Sequence, residues 1–316
     1  MQLKGILSSL NSKHKVFILG SAVVDLVLSV NRLPKSGEDI GAAFQGGKVG
    51  GCAFNVADVL IKLNLPCSTY FPVGEGMFSQ IVKQEFIKRS LEVSQVCGCG
   101  DNGWNLSIVE PDGERTFITM SGLECRMQKQ WFDKFCLSDF DYFYLSGYQA
   151  EGENGDVMLE ILKRKRKDSF LVFDPGPRSE FIPTEKLHCF EKLNCIYTIN
   201  AKEACILSGK NYPDEAALEL CKRTGNPAVI TDGAKGAYLA CNNQVSLIPG
   251  ASVKVADTIG SGDSHTGGFI AGLMCDLALE DAVKLANYTA AYVTAHQGAA
   301  CAPTADQMSA FFNETL

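Results

Sequence analysis

The sequence lacks an excess of positive charge and lacks long apolar runs. It has 29 lysines and arginines against 36 aspartates and glutamates in 316 residues, a formal net charge of -7. A nucleic-acid surface needs clustered positive charge, and we interpret the one basic run, residues 163–167, as the solvated end of a helix, so we expect no nucleic-acid partner. No apolar stretch reaches the roughly 18 residues that span a bilayer, so we expect no membrane partner.

Patterns typical of metal sites and disulfides are also missing. The 4 histidines are scattered, and the 13 cysteines show no metal-finger spacing, the nearest two being Cys97 and Cys99. No signal-peptide pattern precedes the first strand pattern. We therefore interpret the cysteines as reduced thiols and expect a cytoplasmic protein.

Two common nucleotide-binding loops are absent. Residues 74–79 read G-E-G-M-F-S, like the start of a dinucleotide fingerprint, but Ser79 stands at the third glycine position and no acid stands about 20 residues later at the end of a second strand. Residues 42–49 are similar to a Walker loop, but Ala42 replaces its first glycine and Val49 replaces the magnesium-binding serine or threonine. These differences argue against a Rossmann dehydrogenase and against a Walker-type enzyme.

Strand and helix patterns alternate through most of the chain. Apolar strand patterns occur at residues 16–19, 68–73, 142–146, 170–173, 195–199 and 228–231. Helical patterns separate them, which predicts a mainly parallel sheet with helices on both faces and ligands at the carboxyl ends of the strands. Two pairs of segments differ and predict β-hairpins: 25–32 with 39–45, and 105–110 with 115–120.

The most informative segment is the small-residue turn at residues 257–263, which reads D-T-I-G-S-G-D before a helical pattern. The backbone N–H groups of Gly260, Ser261 and Gly262 can approach a phosphate closely, and the following helix adds the positive end of its dipole. Asp263 lies in the first helical turn. It could take a proton from an attacking hydroxyl or simply cap the helix, and the turn alone leaves both interpretations open.

Four other segments precede this turn in a fixed order. The strand pattern at 16–20 is followed by Asp25, residues 50–55 read G-G-C-A-F-N, residues 200–203 read N-A-K-E, and residues 231–236 read T-D-G-A-K-G. In this combination the chain resembles the ribokinase-like carbohydrate kinases, also called the phosphofructokinase B family, over nearly its whole length. The resemblance implies an α/β fold, namely a three-layer αβα sandwich with a mainly parallel central sheet and a small β-sheet lid.

The resemblance also implies a domain organisation and an activity. Residues 1–316 would form a single kinase domain, with lid segments near 25–46 and 102–121. The implied activity is ATP-dependent transfer of the γ-phosphoryl group to a primary hydroxyl of a sugar, with Asp263 as general base and the glycine turn 260–262 as anion hole. The alternatives are a nucleoside kinase of the same family and a catalytically silent sugar- or nucleotide-binding sensor. An intact Asp263 in an intact turn favours an enzyme.

Binding residues follow from the resemblance in the same way. The implied acceptor-binding residues are Asp25, Gly51, Asn55 and Asp263. The implied ATP-binding residues are Asn200, Glu203, Thr231, Gly233, Gly236, Gly262 and Asn287. Glu203 would hold Mg²⁺ through water, because magnesium dehydrates reluctantly, although Asn200 and Glu203 taken alone could be a helix cap and a solvated acid. The resemblance also implies K⁺ beside the turn, with Asp257 and the carbonyl of Ile259 as ligands.

The acceptor side departs from the family pattern. Ribokinase has Asn at the position of Val23 and Lys at the position of Cys52, and both contact the sugar there, which argues against ribose as the acceptor. His265 replaces a common aromatic residue after the catalytic acid, and Gly176 replaces a frequent Asn. The sequence does not say what these last two changes do.

The two hairpins predicted to form the lid carry apolar side chains. Three of them could form an aromatic cover that stacks on a nucleoside base, or could pack within the lid: Trp104, Phe117 and Met120. An overlapping set would give the small sheet an exposed apolar face: Phe44, Ile108, Phe117 and Ile118. Such a face and its unpaired edges would be covered in a homodimer, so we expect a homodimer formed through the lid.

Overall fold

The computed structural model describes residues 1–298 and 300–313. In this part of the chain the α-helices are α1 (Leu3–Ser8), α2 (Cys52–Lys62), α3 (Met77–Lys88), α4 (Gly147–Ala150), α5 (Gly152–Leu162), α6 (Thr184–Glu191), α7 (Ala201–Ser208), α8 (Pro213–Thr224), α9 (Ser261–Met274), α10 (Leu279–Thr294) and α11 (Ala305–Asn313). The β-strands are β1 (Val16–Leu19), β2 (Val23–Ser29), β3 (Ala43–Gly50), β4 (Cys67–Tyr70), β5 (Pro72–Val73), β6 (Ser94–Gln95), β7 (Trp104–Val109), β8 (Arg115–Met120), β9 (Tyr142–Ser146), β10 (Phe170–Asp174), β11 (Cys195–Asn200), β12 (Ala228–Thr231), β13 (Gly236–Cys241) and β14 (Gln244–Pro249). None of the helices described is long and apolar enough to cross a membrane.

The chain divides into two compact units. The first comprises Met1–Gly20, Cys52–Tyr70 and Met127–Leu316, and the second comprises Ser21–Gly51 and Phe71–Arg126. The first unit contains every helix named above except α3, together with strands β1, β4 and β9 to β14.

An eight-stranded sheet forms the centre of the first unit, in the order β14-β13-β12-β11-β10-β9-β1-β4. The strands from β12 to β4 are parallel, whereas β13 and β14 each pair antiparallel with their neighbours. The parallel part confirms the predicted alternation of strands and helices. The sequence analysis does not predict the hairpin of β13 and β14, although its turn residues Asn242 and Asn243 adopt φ angles of 51° and 61° that are typical of hairpin turns.

Both faces of this sheet are covered by helices. On one face Phe17, Phe143 and Phe173 belong to an apolar core to which helices α5, α6 and α8 contribute side chains. On the other face Thr198 of β11 accepts a hydrogen bond from Thr266 of α9 at 3.0 Å. The predicted three-layer α/β sandwich is therefore confirmed.

Glycines allow α9 to pack closely against its neighbours. A Cβ atom on Gly267 would lie 2.8 Å from the Cβ of Val59 on α2, and one on Gly268 would lie 2.8 Å from the Cα of Ala286 on α10. A larger residue at either position would push the helices apart. The second turn of α9 is thus packed closely between two other helices.

The second unit is built on a four-stranded sheet in the order β3-β2-β7-β8. Both predicted hairpins are present, although β2 begins at Val23 and β3 extends to Gly50. The single strand predicted at 68–73 is wrong, because β4 ends at Tyr70 in the large sheet and β5 begins at Pro72 in a separate two-stranded sheet. The apolar pattern hides this break because Phe71, between the two strands, is also buried.

Apolar side chains are exposed on the edge strands of the four-stranded sheet. Phe44 on β3 is 65% exposed, and Phe117 and Ile118 on β8 are 49% and 50% exposed. The expectation that Ile108 is exposed is wrong, because it is only 8% exposed on the inner strand β7. Trp104 stacks on Phe78 of α3 with ring centroids 5.0 Å apart, which favours packing within the unit over stacking on a base.

Candidate active site

The glycine turn leads directly into α9. Gly260 has a left-handed backbone (φ 73°), and its carbonyl accepts the amide of Ser264 at 2.8 Å, which begins the helix. The amide of Ser261 donates to the carbonyl of Thr258 at 3.3 Å, whereas the amides of Gly260 and Gly262 have no hydrogen-bond partner among residues 1–298 and 300–313. A Cβ atom on Gly262 would meet no atom within 4 Å. The turn therefore offers amide donors beside open space, an arrangement that fits phosphate.

The turn contributes to a cavity of about 200 Å³ at the carboxyl ends of the central strands. The last residues of β9 to β12 also line this cavity: Ser146, Asp174, Asn200 and Thr231. The strand register aligns them, because Asp174 pairs with Ser146 and Asn200 pairs with Thr231. Ligands of open α/β sheets bind at this edge, as the sequence predicts.

The charged side chains of the cavity are acidic. The lining, which lies entirely in the described part of the chain, includes Asp174, Glu203 and Asp263 but no lysine, arginine or histidine. A polyphosphate would be repelled by these carboxylates unless a cation accompanied it. Among the described residues no group of three or more potential ligands is placed to hold a metal ion, so a cation here would rely on water or on the nucleotide for most of its ligands.

Asp263 is hydrogen-bonded to Asn55 from the first turn of α2, and Cys52 of the same turn lines the cavity with it. The Nδ2 of Asn55 donates a hydrogen bond to Oδ2 of Asp263 at 2.7 Å. Burial raises the pKa of the Asp263 carboxyl, while hydrogen bonds from Asn55 and from the thiol of Cys52 lower it. The two donors therefore oppose the effect of burial and favour the ionised carboxylate that a general base requires.

Asp174 is a second buried acid in the same cavity, at a strand end where the sequence predicts ligands. Burial raises the pKa of its carboxyl well above the usual value, and the charges of Asp263 and Glu203 raise it further. The amide of Gly176, which donates to Oδ1 at 3.1 Å, opposes this effect. Burial and these charges therefore favour the neutral form of Asp174, whereas the hydrogen-bond donors at Asp263 favour its ionised form.

Asn200 and Glu203 form the start of α7. The Oδ1 of Asn200 accepts the amide of Glu203 at 2.9 Å, which is an N-cap hydrogen bond. Both residues also line the cavity. Burial raises the pKa of the Glu203 carboxyl, and hydrogen bonds with Asn200 oppose this shift. The two residues therefore cap a helix and face the cavity at the same time, so the two interpretations are compatible.

The segment 231–236 contacts the cavity only through its first residue. Thr231 lines the cavity, whereas Gly233 and Gly236 do not. Gly236 is needed for packing, because a Cβ atom there would lie 2.1 Å from the carbonyl oxygen of Ile248 on the neighbouring strand β14. The roles of Gly233 and Gly236 in ATP binding stay predictions.

Asn287 lies inside the fold, on α10. Its Nδ2 donates to the carbonyls of Ile248 and Pro249 at 3.0 Å each, and its Oδ1 lies 3.1 Å from Nε2 of His265. Burial lowers the pKa of His265 to about 4, so the imidazole is neutral. These contacts join α9, α10 and β14, which gives His265 a structural role and leaves the adenine contact of Asn287 a prediction.

Asp257 ties the glycine turn to the residues after α10. Its Oδ1 accepts the amide of Ile259 at 3.0 Å, and its Oδ2 accepts the amide of Gly298 at 3.1 Å. A carboxylate oxygen has a further lone pair, so these contacts are compatible with a cation ligand. The monovalent-cation site at Asp257 and Ile259 stays a prediction.

The predicted acceptor residues Asp25 and Gly51 belong to the second unit, whereas Asn55 and Asp263 belong to the first. The Nδ2 of Asn105 donates to Oδ1 of Asp25 at 2.7 Å. A Cβ atom on Gly50 would lie 2.4 Å from Oδ2 of Asp25, and Gly51 has a φ of 113° that favours glycine. The second unit thus holds the Asp25 carboxylate in a defined position beside the diglycine.

Several residues that line the cavity are missing from the sequence-based assignment, among them Tyr148. Asp174 follows the strand pattern at 170–173, so the expectation of ligands at strand ends predicts it on the ligand-binding edge, although without a role. Tyr148 lines the cavity from α4, which is too short to produce a periodic pattern. The contact of Cys52 with Asp263 depends on the packing of α2 against α9, which no local signal reveals.

The fold and the cavity belong to a known class of enzymes. The model of the pfkB family of carbohydrate kinases matches residues 13–305. The chain therefore belongs to the pfkB family of carbohydrate kinases and is an ATP-dependent kinase of a sugar or nucleoside. Use of ATP, typically with Mg²⁺, follows from membership of this family.

Several known proteins are similar to this chain over nearly its whole length. An uncharacterized sugar kinase of Escherichia coli K12, YegV, is 34% identical over 312 residues, which cover 97% of this chain and 97% of that protein. Mouse ribokinase is 28% identical over 290 residues, covering 87% of each chain. The crystal structure of a ribokinase from Thermotoga maritima has a TM-score of 0.83 at 24% identity and covers 95% of this chain and 99% of that one, which supports the fold.

Proposed function

We propose that the cavity transfers the γ-phosphoryl group of ATP to a primary hydroxyl of a sugar, with Asp263 as the general base. The observation that carries this proposal is the position of an ionisable carboxylate one residue after the unpartnered amide of Gly262, in a cavity at the strand ends. A carboxylate beside a phosphate site is unfavourable unless it accepts a proton. That combination suits phosphoryl transfer better than anion binding alone.

Each residue of the cavity has a chemical task in this reaction. Asp263 accepts the proton of the acceptor hydroxyl as its oxygen attacks the γ-phosphorus, and the bond from that phosphorus to the β-γ bridging oxygen breaks. The amides of Gly260 and Gly262, with the dipole of α9, stabilise the charge on the migrating group. Mg²⁺, when bound with ATP, neutralises phosphate charge, and Glu203 with Asn200 would hold it through water.

The acceptor side is supported by an unsatisfied atom beside the base. The Oδ1 of Asn55 is buried and has no hydrogen-bond partner within residues 1–298 and 300–313. A sugar hydroxyl can donate to it, which would remove the free-energy cost of a buried unpaired acceptor. Asp25 and Gly51 are the further acceptor ligands that we propose, and the segments 25–46 and 102–121 are proposed to act as a lid.

The acceptor is proposed to be a sugar other than ribose. Cys52 lines the cavity with a short neutral side chain where ribokinase has Lys, so a hydroxyl pattern that requires a cation at this point would not be matched. A nucleoside is the second candidate, since an aminoimidazole riboside kinase of Salmonella typhimurium is 26% identical over 326 residues. The stacking of Trp104 on Phe78 does not favour this candidate.

The test is a screen for ADP release by the purified protein, with ATP, Mg²⁺ and a panel of free sugars and nucleosides. We expect one class of free sugars to release ADP far faster than the rest, and Asp263→Asn to slow that release by about 10²-fold to 10⁴-fold. Binding of a sugar without ADP release by the wild-type protein would instead identify a silent sensor. Release only with nucleosides would replace the sugar by the second candidate.

A monovalent cation and a dimer complete the proposal. If Asp257 and the carbonyl of Ile259 bind K⁺, turnover should depend on K⁺ more than the KM for the acceptor does, and equal rates in sodium and potassium buffers would exclude the site.

The exposed side chains of Phe44, Phe117 and Ile118 support a homodimer, which light scattering at micromolar concentration would detect. We also propose a cytoplasmic location, because the cysteine spacing in the sequence is not typical of a disulfide framework.

A further inference from the structure

The first turn of α2 presents two polar side chains to one carboxyl group. Cys52 is the first residue of this helix and lines the cavity, and Asn55 lies three residues later. Helical residues three positions apart face the same side. The amide of Asn55 donates to Oδ2 of Asp263 at 2.7 Å, so the thiol of Cys52 lies on the side of the helix that faces Asp263.

Groups on several other elements also surround this carboxyl. They are Asp174 on β10, Glu203 on α7, Tyr144 on β9, Tyr148 on α4 and, beyond Tyr148, Arg178, which forms an ion pair with Glu151 at 2.6 Å. Glu203 and Asp174 carry or can acquire negative charge, and the described lining contains no basic side chain. Neutral hydrogen-bond donors, together with the positive end of the α9 dipole, are therefore the groups by which this cavity can favour an ionised Asp263.

We propose that Cys52 is a positioning residue of the kinase reaction, whose thiol donates a hydrogen bond to Asp263 and so keeps the general base ionised. This inference rests on the proposed role of Asp263. Burial, together with the charges of Asp263 and Asp174, raises the pKa of the Cys52 thiol well above its usual value. The thiol therefore stays protonated at neutral pH and remains a donor.

The thiol would act differently from a basic residue at the same position. A lysine there would stabilise the carboxylate by its charge, and it would also attract the phosphates of ATP. A thiol stabilises the carboxylate by a single neutral hydrogen bond and leaves the charge of the cavity unchanged. The proton affinity of Asp263 in this chain should therefore respond to the loss of one donor atom.

The test measures the protonation of Asp263 directly, in the protein without ligands. The protein is labelled with aspartate carrying ¹³C at the carboxyl carbon, and the resonance that disappears in Asp263→Asn is assigned to Asp263. Its titration with pH is then compared in the wild type, Cys52→Ala, Cys52→Ser and Cys67→Ala. Cys67 is the matched control, because it is the first residue of β4 and so lies at the opposite edge of the sheet from the cavity.

In Cys52→Ala the acid dissociation constant of Asp263 should fall about 2-fold to 10-fold, which is the equilibrium worth of one hydrogen bond. Cys52→Ser should restore it, because a hydroxyl also donates, and Cys67→Ala should leave it unchanged. If Cys52→Ala does not fold, Cys52→Val keeps the side-chain volume without a donor and is expected to show the same fall.

Two results would overturn the proposal. One is a titration in Cys52→Ala or Cys52→Val that superimposes on that of the wild type, and the other is an equal fall in Cys52→Ser. The proposed function has a separate readout, the loss of ADP release in Asp263→Asn. If Asp263→Asn kept its turnover, the base assignment would fail and this inference with it. If turnover were lost but the titration did not respond to Cys52, only the role of the thiol would fail.

Discussion

Replacing Asp263 by asparagine is expected to change activity and stability in opposite directions. Asparagine has nearly the same size and keeps an oxygen that can accept the 2.7 Å hydrogen bond from Asn55, so the geometry of the cavity is retained. The amides of Gly260 and Gly262 are untouched, and ATP binding should survive. What the change removes is a group that can accept a proton.

Turnover should fall by about 10²-fold to 10⁴-fold, the usual contribution of a general base, which corresponds to about 3 to 5 kcal/mol of activation free energy. Stability should change in the other direction. Because burial raises the pKa of Asp263, the folded protein holds this proton more tightly than the unfolded chain does. The free energy of unfolding of the wild type should therefore decrease as pH rises from 3.8 through the folded pKa. The amide cannot ionise, so the variant should match the wild type in acid and exceed it at neutral pH.

The assays are ADP release under saturating ATP and the free energy of unfolding in urea at acidic and neutral pH. Asp174→Asn is the matched control. Asp174 lines the same cavity, and burial raises the pKa of its carboxyl and so favours the neutral form. Asparagine is a neutral replacement that can still accept the amide of Gly176, so turnover should fall by less than about 10-fold. The reasoning is refuted if Asp263→Asn keeps more than a tenth of the turnover, or if both variants lose activity equally.

Three further changes test the turn, the packing of α9 and the buried histidine. Gly262→Ala should leave thermal stability unchanged, since a Cβ atom there meets no atom within 4 Å. Its methyl group would occupy the proposed phosphate site, so turnover should fall at least about 10-fold. Unchanged turnover would mean that the phosphate binds elsewhere. Gly268→Ala should lower the free energy of unfolding in urea by about 1 to 3 kcal/mol, because the new Cβ would lie 2.8 Å from the Cα of Ala286. A free energy of unfolding equal to that of the wild type would contradict this packing. The pKa of His265 is about 4 in the folded protein, against a usual value of 6.5. The contribution of its neutral form to the free energy of unfolding is therefore fully present above pH 6.5 and is lost as pH falls towards 4, by about 2 kcal/mol at pH 5. Unfolding free energies of wild type and His265→Gln should therefore diverge over this range, and parallel pH profiles would refute the buried neutral state.

Local sequence signals predicted the elements that bear the site but not all of the contacts within it. The segment 257–263 identified a turn before a helix because its small residues act over a few positions. The strand at 68–73 failed because two strands of different sheets share one continuous apolar pattern, interrupted only by the buried Phe71. Asn287 is predicted beside adenine, yet its amide is used for contacts within the fold, which depend on where α10 meets β14.

The sequence by itself determined the class of this protein. Alternating patterns and a few ordered motifs were sufficient for the α/β sandwich, the family and the glycine turn before α9, since each is encoded within short segments. Only the tertiary structure decided how deeply the carboxyl group of Asp263 is buried and what contacts it. Asn55 and Asp263 are 208 positions apart, and the pKa of Asp263 depends on burial and on donors that the packing of α2 against α9 brings to it. A property that arises from distant residues meeting in a buried place cannot be read from any one segment.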